Sequence, residues 1–248
     1  MAPSNTKTML DPLGDCTSCP RNCHANRNTG RPGYCNTGAE LPVASIVAHQ
    51  GEEPVISGDI GICNIFFAHC NMQCIYCQNY QISRNDRVAK QMIFDEVIRR
   101  VEELLENGVS GVGFVSPSHC IPQMKAIIDE LDRRGRKPYY VYNTSSYDKA
   151  ETLESLDGMI DVYLADLKYM SSDLAARYSG APDYPEVVSS ALKEMFRQKG
   201  SNLKLDGDGV AESGLIIRHL ILPGHIENSM ACLRFIAEEL SPSIHVSL

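Results

Sequence analysis

From residue 62 to its end the chain alternates short runs of β-branched, aliphatic and aromatic residues with stretches of helical periodicity, and nothing else in the sequence constrains the fold as strongly. Runs at 62–68, 109–115, 139–142, 160–165, 215–222 and 243–248 read as six strands. Between them, 94–107 places Val97, Ile98, Val101, Leu104 and Leu105 on one helical face, with Asp95 and Glu96 in its first turn and Gly108 after it. Residues 122–134 form a second helix stopped by Gly135, and 148–155 a short, weak one. Helices at 174–178 and 185–198 are separated by Gly180-Ala181-Pro182-Asp183, and a last helix covers 227–240. Asp206-Gly207-Asp208-Gly209 supplies the positive-φ positions of a reversal, so 202–214 is expected to be an inserted turn or hairpin. Repeated strand–helix alternation predicts an α/β fold, a parallel sheet covered by helices. A closed barrel of eight units takes about 250 residues by itself. With the first sixty of 248 residues spent elsewhere, an open, partial barrel of six units fits better. The expected division is a Cys-rich extension with a hairpin over 1–60 and the partial barrel over 61–248.

In parallel α/β folds ligands bind at the C-terminal ends of the strands, so the loops after each run are where chemistry is to be sought. After the first run stands Cys70-Asn71-Met72-Gln73-Cys74-Ile75-Tyr76-Cys77-Gln78-Asn79. Its three cysteines can converge on one soft metal centre, and they are one fewer than a closed site uses, leaving a position for an exogenous ligand. The later loops carry Ser116-Pro117-Ser118-His119, Asn143-Thr144-Ser145-Ser146, Asp166-Leu167-Lys168 and Pro223-Gly224-His225. Arg218 lies inside an apolar run, where a charge needs a partner or an anion. His119 reads equally as the cap of the helix that follows it.

With 43 % apolar residues the chain can bury a real core, and a net charge of −8 without a basic stripe argues against nucleic acid. The run Arg133-Arg134-Gly135-Arg136-Lys137 reads as a solvated helix end. No leader-like apolar region marks the first eleven residues and no span is long enough for a bilayer, so a cytoplasmic protein without membrane contacts is expected. In a reducing compartment ten cysteines point to metal rather than disulfides. Cys16, Cys19, Cys23 and Cys35 lie on a Gly/Pro-rich stretch too poor in apolar residues to build its own core, which makes them a candidate second site for zinc or an iron–sulfur cluster. Cys63, Cys120 and Cys232 stand singly among apolar residues and read as packing thiols. Residues 41–57 look like a hairpin whose polar loop holds His49, Glu52 and Glu53.

Cys70-Asn71-Met72-Gln73-Cys74-Ile75-Tyr76-Cys77 resembles the Cys-x-x-x-Cys-x-aromatic-Cys signature of the radical S-adenosylmethionine (SAM) superfamily. Together with Cys19-Pro20-Arg21-Asn22-Cys23, Gly51-Glu52-Glu53-Pro54-Val55-Ile56-Ser57-Gly58, Cys77-Gln78-Asn79, Asp157-Gly158 and Arg218-His219-Leu220-Ile221-Leu222-Pro223-Gly224, it is similar to an uncharacterised branch related to pyruvate formate-lyase activating enzymes. The resemblance implies a partial (β/α)6 radical SAM barrel. It implies a [4Fe–4S] cluster on Cys70, Cys74 and Cys77 and SAM on the remaining iron. Tyr76 would lie near the adenine, and Asn79, Ser116, Ser118, His119, Asn143, Thr144, Asp166, Lys168 and Arg218 would line the SAM or substrate cavity. It further implies reductive cleavage of SAM to a 5'-deoxyadenosyl radical for hydrogen abstraction, a reductant such as flavodoxin or ferredoxin, and, as one substrate class, a protein on which a glycyl radical is formed. Two departures stand out: Ser116-Pro117-Ser118-His119 replaces the Gly-Gly-Glu common in the superfamily, and the chain stops within its sixth strand where relatives continue. The rival expectation is a non-catalytic iron–sulfur or zinc protein; a third is a radical SAM fold that keeps its cluster without turnover.

Overall fold

The computed structural model describes residues 11–88 and 91–248. Its sheet has eight strands: β1 (Val43–His49), β2 (Ile62–Phe67), β3 (Gly111–Val115), β4 (Tyr139–Thr144), β5 (Val162–Asp166), β6 (Lys204–Leu205), β7 (Ala211–Arg218) and β8 (His245–Ser247). Six of them, β2, β3, β4, β5, β7 and β8, pair in parallel in that order, which is the partial barrel the alternation predicts. Helices connect them: α1 (Pro54–Ser57), α2 (Tyr80–Ser83), α3 (Phe94–Glu106), α4 (Ile121–Arg133), α5 (Ala150–Glu154), α6 (Ser172–Ser179), α7 (Tyr184–Lys199) and α8 (Ile226–Phe235). Among the described residues no helix is long and apolar enough to cross a membrane.

The expected hairpin over 41–57 forms differently. β1 pairs antiparallel with β2 itself, and 54–57 is a helical turn opened by Pro54. Proline has no N–H for a ladder and its fixed φ suits a first helical position, so Val55 and Ile56 continue a turn, not a strand. The fifth parallel strand also shifts from 215–222 to Ala211–Arg218. Its neighbours end at Asp166 and Ser247, so nothing remains to pair 220–222, and Leu220 and Ile221 are left exposed. The insertion at 202–214 is the expected reversal: Asp206 Oδ1 accepts the N–H groups of Asp208 and Val210, both at 2.9 Å, and β6 folds antiparallel onto β7.

Side chains alternate across the sheet, and this alternation builds the site. Cys63, Ile65, Val112, Phe114, Tyr140, Tyr142, Tyr163, Ala165, Leu215 and Ile217 face the helices and join the main core. The opposite face carries Ile62, Val141, Val162, Leu164 and Ile216, which with Ile56 and Ala211 form a separate apolar plug. Two residues further along the same face, Ile62 gives way to Asn64, Val141 to Asn143, Leu164 to Asp166 and Ile216 to Arg218. Burying the plug therefore stacks a polar layer on it at the strand ends.

Candidate active site

The polar layer is one connected network. Arg218 Nε donates to Asp166 Oδ1 at 2.8 Å and a terminal nitrogen to Asn143 Oδ1 at 2.7 Å. Asn143 Nδ2 donates to Glu52 Oε2 at 2.8 Å, and Asn64 Nδ2 reaches the same oxygen at 3.2 Å. Glu52 and Glu53 stand 3.5 and 3.8 Å from the Arg218 guanidinium. Lys168 Nζ donates to Asp166 Oδ2 at 2.6 Å. Burial opposes ionisation of Asp166, yet Lys168 and Arg218 outweigh it and hold the carboxyl below its ordinary range. Burial likewise works against the Lys168 charge, and Asp166 and Cys74 more than restore it. Gly113, beside Asn64 in register, makes room for this arrangement: a Cβ there would stand 2.1 Å from Asn64 Oδ1.

Beyond β2 the chain turns through His69 at φ 65° into the cysteine loop. Asn85 fixes the turn, accepting the Cys70 N–H on Oδ1 at 3.1 Å and donating to the Cys70 carbonyl at 3.0 Å. Asn71 donates to the Tyr147 carbonyl at 2.8 Å, and Met72 anchors the loop in the core. Each sulfur accepts a hydrogen bond: Cys70 from the Met72 N–H at 3.3 Å, Cys74 from the Ser179 hydroxyl at 3.0 Å and Cys77 from the Ser83 hydroxyl at 3.2 Å. Tyr76 hydrogen-bonds through its hydroxyl to Tyr169, which bonds Ser179 at 2.8 Å. Burial, reinforced by Cys74 and Cys77, pushes the Cys70 thiol up to about 12. Burial also raises Cys74, against the pull of Lys168. Three thiols with donors aimed at their sulfurs, two of them desolvated, form a set whose thiolates a soft, positively charged centre would stabilise, and they fit an iron–sulfur core.

Loop and polar layer face one cavity of about 420 Å³. It is lined by Cys70, Cys74, Cys77, Tyr76, Asn79, Ser116, Asn143, Thr144, Asp166, Lys168 and Arg218, all expected at the rim from the sequence. Ser118 and His119 do not line it. Ser118 is turned to the helix side, its hydroxyl 3.2 Å from that of Thr144. His119 is buried behind the loop with Nε2 2.9 Å from the Ala68 carbonyl, and it borders a different cavity near the N-terminal cysteines. The cause is Ser116 at φ 54°, which reverses the chain after β3 and leaves only the first residue of the segment facing inward. Glu52, Asn64, Phe66 and His49 line the cavity too. Asn64 had a signal in the sequence, an amide within an otherwise apolar strand. Glu52 had a weaker one, its place in the Gly51–Gly58 stretch that carries the resemblance, since a polar loop residue looks the same whether it faces solvent or a barrel.

A family model described as the radical SAM superfamily matches residues 64–205. An uncharacterized protein of Methanocaldococcus jannaschii is 27 % identical over 225 residues, which cover 86 % of this chain and 58 % of that protein. The chain thus spans less than two thirds of the length of this curated relative. Among solved structures, HydG, a maturase of the [FeFe]-hydrogenase, superposes with a TM-score of 0.52 at 16 % identity over 74 % of this chain and 41 % of that one. At that identity the likeness concerns the fold alone.

Proposed function

The chain belongs to the radical SAM superfamily, and on that premise we propose that Cys70, Cys74 and Cys77 hold the [4Fe–4S] cluster and that SAM and substrate share the cavity at the strand ends. The observation that carries this reading is the convergence of the three thiols and the Asn143–Asp166–Lys168–Arg218 layer on that single cavity. When bound, the cluster supplies one electron to SAM, whose cleavage yields methionine and a 5'-deoxyadenosyl radical that takes a hydrogen atom from the substrate.

The chain's own residues bind and orient. Lys168 and Arg218 offer cationic donors to a carboxylate, which competes with Asp166 for them. Tyr76, held by Tyr169, presents an aromatic ring beside the last thiol for the adenine. The Ser116 segment, in place of a Gly-Gly-Glu, offers its hydroxyl and carbonyls to the SAM amino group. Asn79 and Thr144 complete the lining of the cavity.

The similarity of the motifs to pyruvate formate-lyase activating enzymes supports, as the substrate class we propose, hydrogen abstraction from a glycine of a partner polypeptide, in the cytoplasm, with flavodoxin or ferredoxin as reductant. Ile75 and Tyr80 stand exposed on and beside the cysteine loop, an apolar approach for such partners. The test is anaerobic incubation of the reduced, reconstituted chain with SAM and a glycyl-radical polypeptide. Expected is an organic-radical electron paramagnetic resonance signal that changes on glycine deuteration, formed together with 5'-deoxyadenosine. 5'-Deoxyadenosine without a polypeptide radical would contradict a glycyl substrate.

A further inference from the structure

Between Leu13 and Leu41 the buried apolar side chains are Cys16, Cys19 and Cys35, too little to fix a segment of that length by packing. The segment is nevertheless built closely onto the barrel. Arg21 donates through Nε to the Asn71 carbonyl at 2.8 Å and through a terminal nitrogen to the Gly180 carbonyl at 2.9 Å. Its guanidinium lies 3.8 Å from the centre of the Tyr34 ring. Thr152 donates to the Ser18 carbonyl at 2.9 Å. At the centre of the segment is an enclosed cavity bordered by Cys16, Cys19, Cys23, Cys35, Arg27 and His119.

Two observations say what the cavity takes. The first is charge. Arg27 is 2 % exposed, and its guanidinium donates to the carbonyls of Gly38 at 2.9 Å and His119 at 2.7 Å and to Cys16 Sγ at 3.8 Å. Carbonyls satisfy its hydrogen bonds but carry no net charge. The atom it reaches that can carry a negative charge is the Cys16 sulfur, and Cys35 borders the same cavity. A buried cation among neutral thiols is costly, and the same cation beside thiolates is compensated. A terminal nitrogen of Arg21 and Nδ1 of His119, which both border the cavity as residues, are buried without hydrogen-bond partners.

The second observation is size. The cavity admits a water-sized sphere. Such a sphere keeps its centre at least about 3 Å from a sulfur nucleus, the sum of their radii, whereas a zinc–thiolate bond is about 2.3 Å. Among the described residues no three His, Cys, Asp or Glu side chains are arranged around a single metal ion. The same is true of Cys70, Cys74 and Cys77. Thiols that each bind a different iron stand further apart than thiols around one ion, and a space that holds a water-sized sphere between the N-terminal cysteines leaves room for that arrangement.

We propose that Cys16, Cys19, Cys23 and Cys35 ligate a second [4Fe–4S] cluster, closed by four protein thiolates, with Arg27 as its buried counter-charge and the Cys19-Pro20-Arg21-Asn22-Cys23 turn tying it to the first cluster loop. Ligation releases the four thiol protons to solvent and, with no open iron, leaves this centre without a place for SAM. It acts as the staple that the segment's own packing does not provide. This proposal stands independently of the function proposed above, because it concerns different ligands and a different count.

The test uses the full chain carrying Cys70→Ala, Cys74→Ala and Cys77→Ala, which leaves the N-terminal cysteines untouched. After anaerobic reconstitution with ferrous iron and sulfide, about four irons and about four sulfides per chain are expected, against about eight of each in the wild type. Alkylation and mass spectrometry should find Cys16, Cys19, Cys23 and Cys35 protected by reconstitution, with Cys63 and Cys232 unchanged by it. A Cys19→Ser change added to the triple variant should bring iron near zero. About one zinc per chain without iron would overturn the cluster in favour of a single ion. No bound metal, with the four thiols alkylated equally before and after reconstitution, would overturn the site.

Discussion

Arg218 on β7 and Asp166 on β5 stand opposite one another in the parallel register, and the arginine Nε donates to the carboxylate at 2.8 Å. Asp166 also holds Lys168, and Arg218 reaches toward Glu52, Glu53 and Asn143, so two cations and three carboxylates share one layer. Removing Arg218 leaves three partly buried carboxylates against the single cation Lys168. Arg218→Met should destabilise the chain by about 3 kcal/mol and weaken SAM binding at least tenfold. Arg218→Lys should restore part of the stability but not the forked contacts to Asp166 and Asn143. Urea unfolding and calorimetric SAM titration of the two variants check both outcomes.

The same pair sets a pH dependence. The Asp166 carboxyl is held below its ordinary range, burial being outweighed by Lys168 and Arg218. A depressed folded value means that the unfolded chain binds the proton first. The stabilisation is therefore fully present above the ordinary carboxylate range, near about 4, and is lost as pH falls toward the folded value. Asp166→Asn should be less stable than wild type at neutral pH, and the gap should shrink as the solution is acidified below pH ~4. Unfolding free energies measured across that window check the sign; a gap that widens on acidification would contradict it.

Gly113 supplies a steric test of the layer. Its Cβ would stand 2.1 Å from Asn64 Oδ1, on a central strand with little freedom to move. Gly113→Ala should cost about 1–3 kcal/mol and displace the Asn64 and Glu52 contacts, lowering SAM affinity without touching the cysteines. Iron content equal to wild type, together with a weaker SAM titration, is the expected pair of results.

Arg21 links the N-terminal segment to the loop that carries Cys70, through the Asn71 carbonyl. Arg21→Ala removes this bond, the one to Gly180 and the stacking on Tyr34, for an expected loss of about 2 kcal/mol. Chelator-induced loss of iron from Cys70, Cys74 and Cys77 should become several-fold faster, as followed by visible absorbance in a Cys16→Ser/Cys19→Ser background.

Much of this arrangement was legible in the sequence because periodicity and punctuation are local. The strands of the parallel barrel and the helices α3, α4 and α7 fall within a few residues of where apolar runs, Gly108, Gly135 and Pro185 mark them. The cysteine loop was legible because ligand spacing is itself local. What failed depended on partners distant in sequence. Val55 and Ile56 look like a strand until β2 takes their place beside β1, and 219–222 look like strand until β5 and β8 run out beside them. Ser118 and His119 turn away from the cavity because of one residue, Ser116, in the left-handed region, which no apolar pattern announces. Glu52 reaches the barrel interior only because α1 folds back under the strand ends, where Asn64 and Asn143 meet it.

In the function proposed above, the cysteine loop and the polar layer are two sides of one SAM site. Its most direct test is the yield of 5'-deoxyadenosine from SAM after anaerobic reconstitution and dithionite reduction, in wild type and in the Cys70→Ala/Cys74→Ala/Cys77→Ala chain. At least one 5'-deoxyadenosine per wild-type chain and none from the triple variant is the expected result. A wild-type chain with its cluster intact that releases no 5'-deoxyadenosine would contradict a shared SAM site.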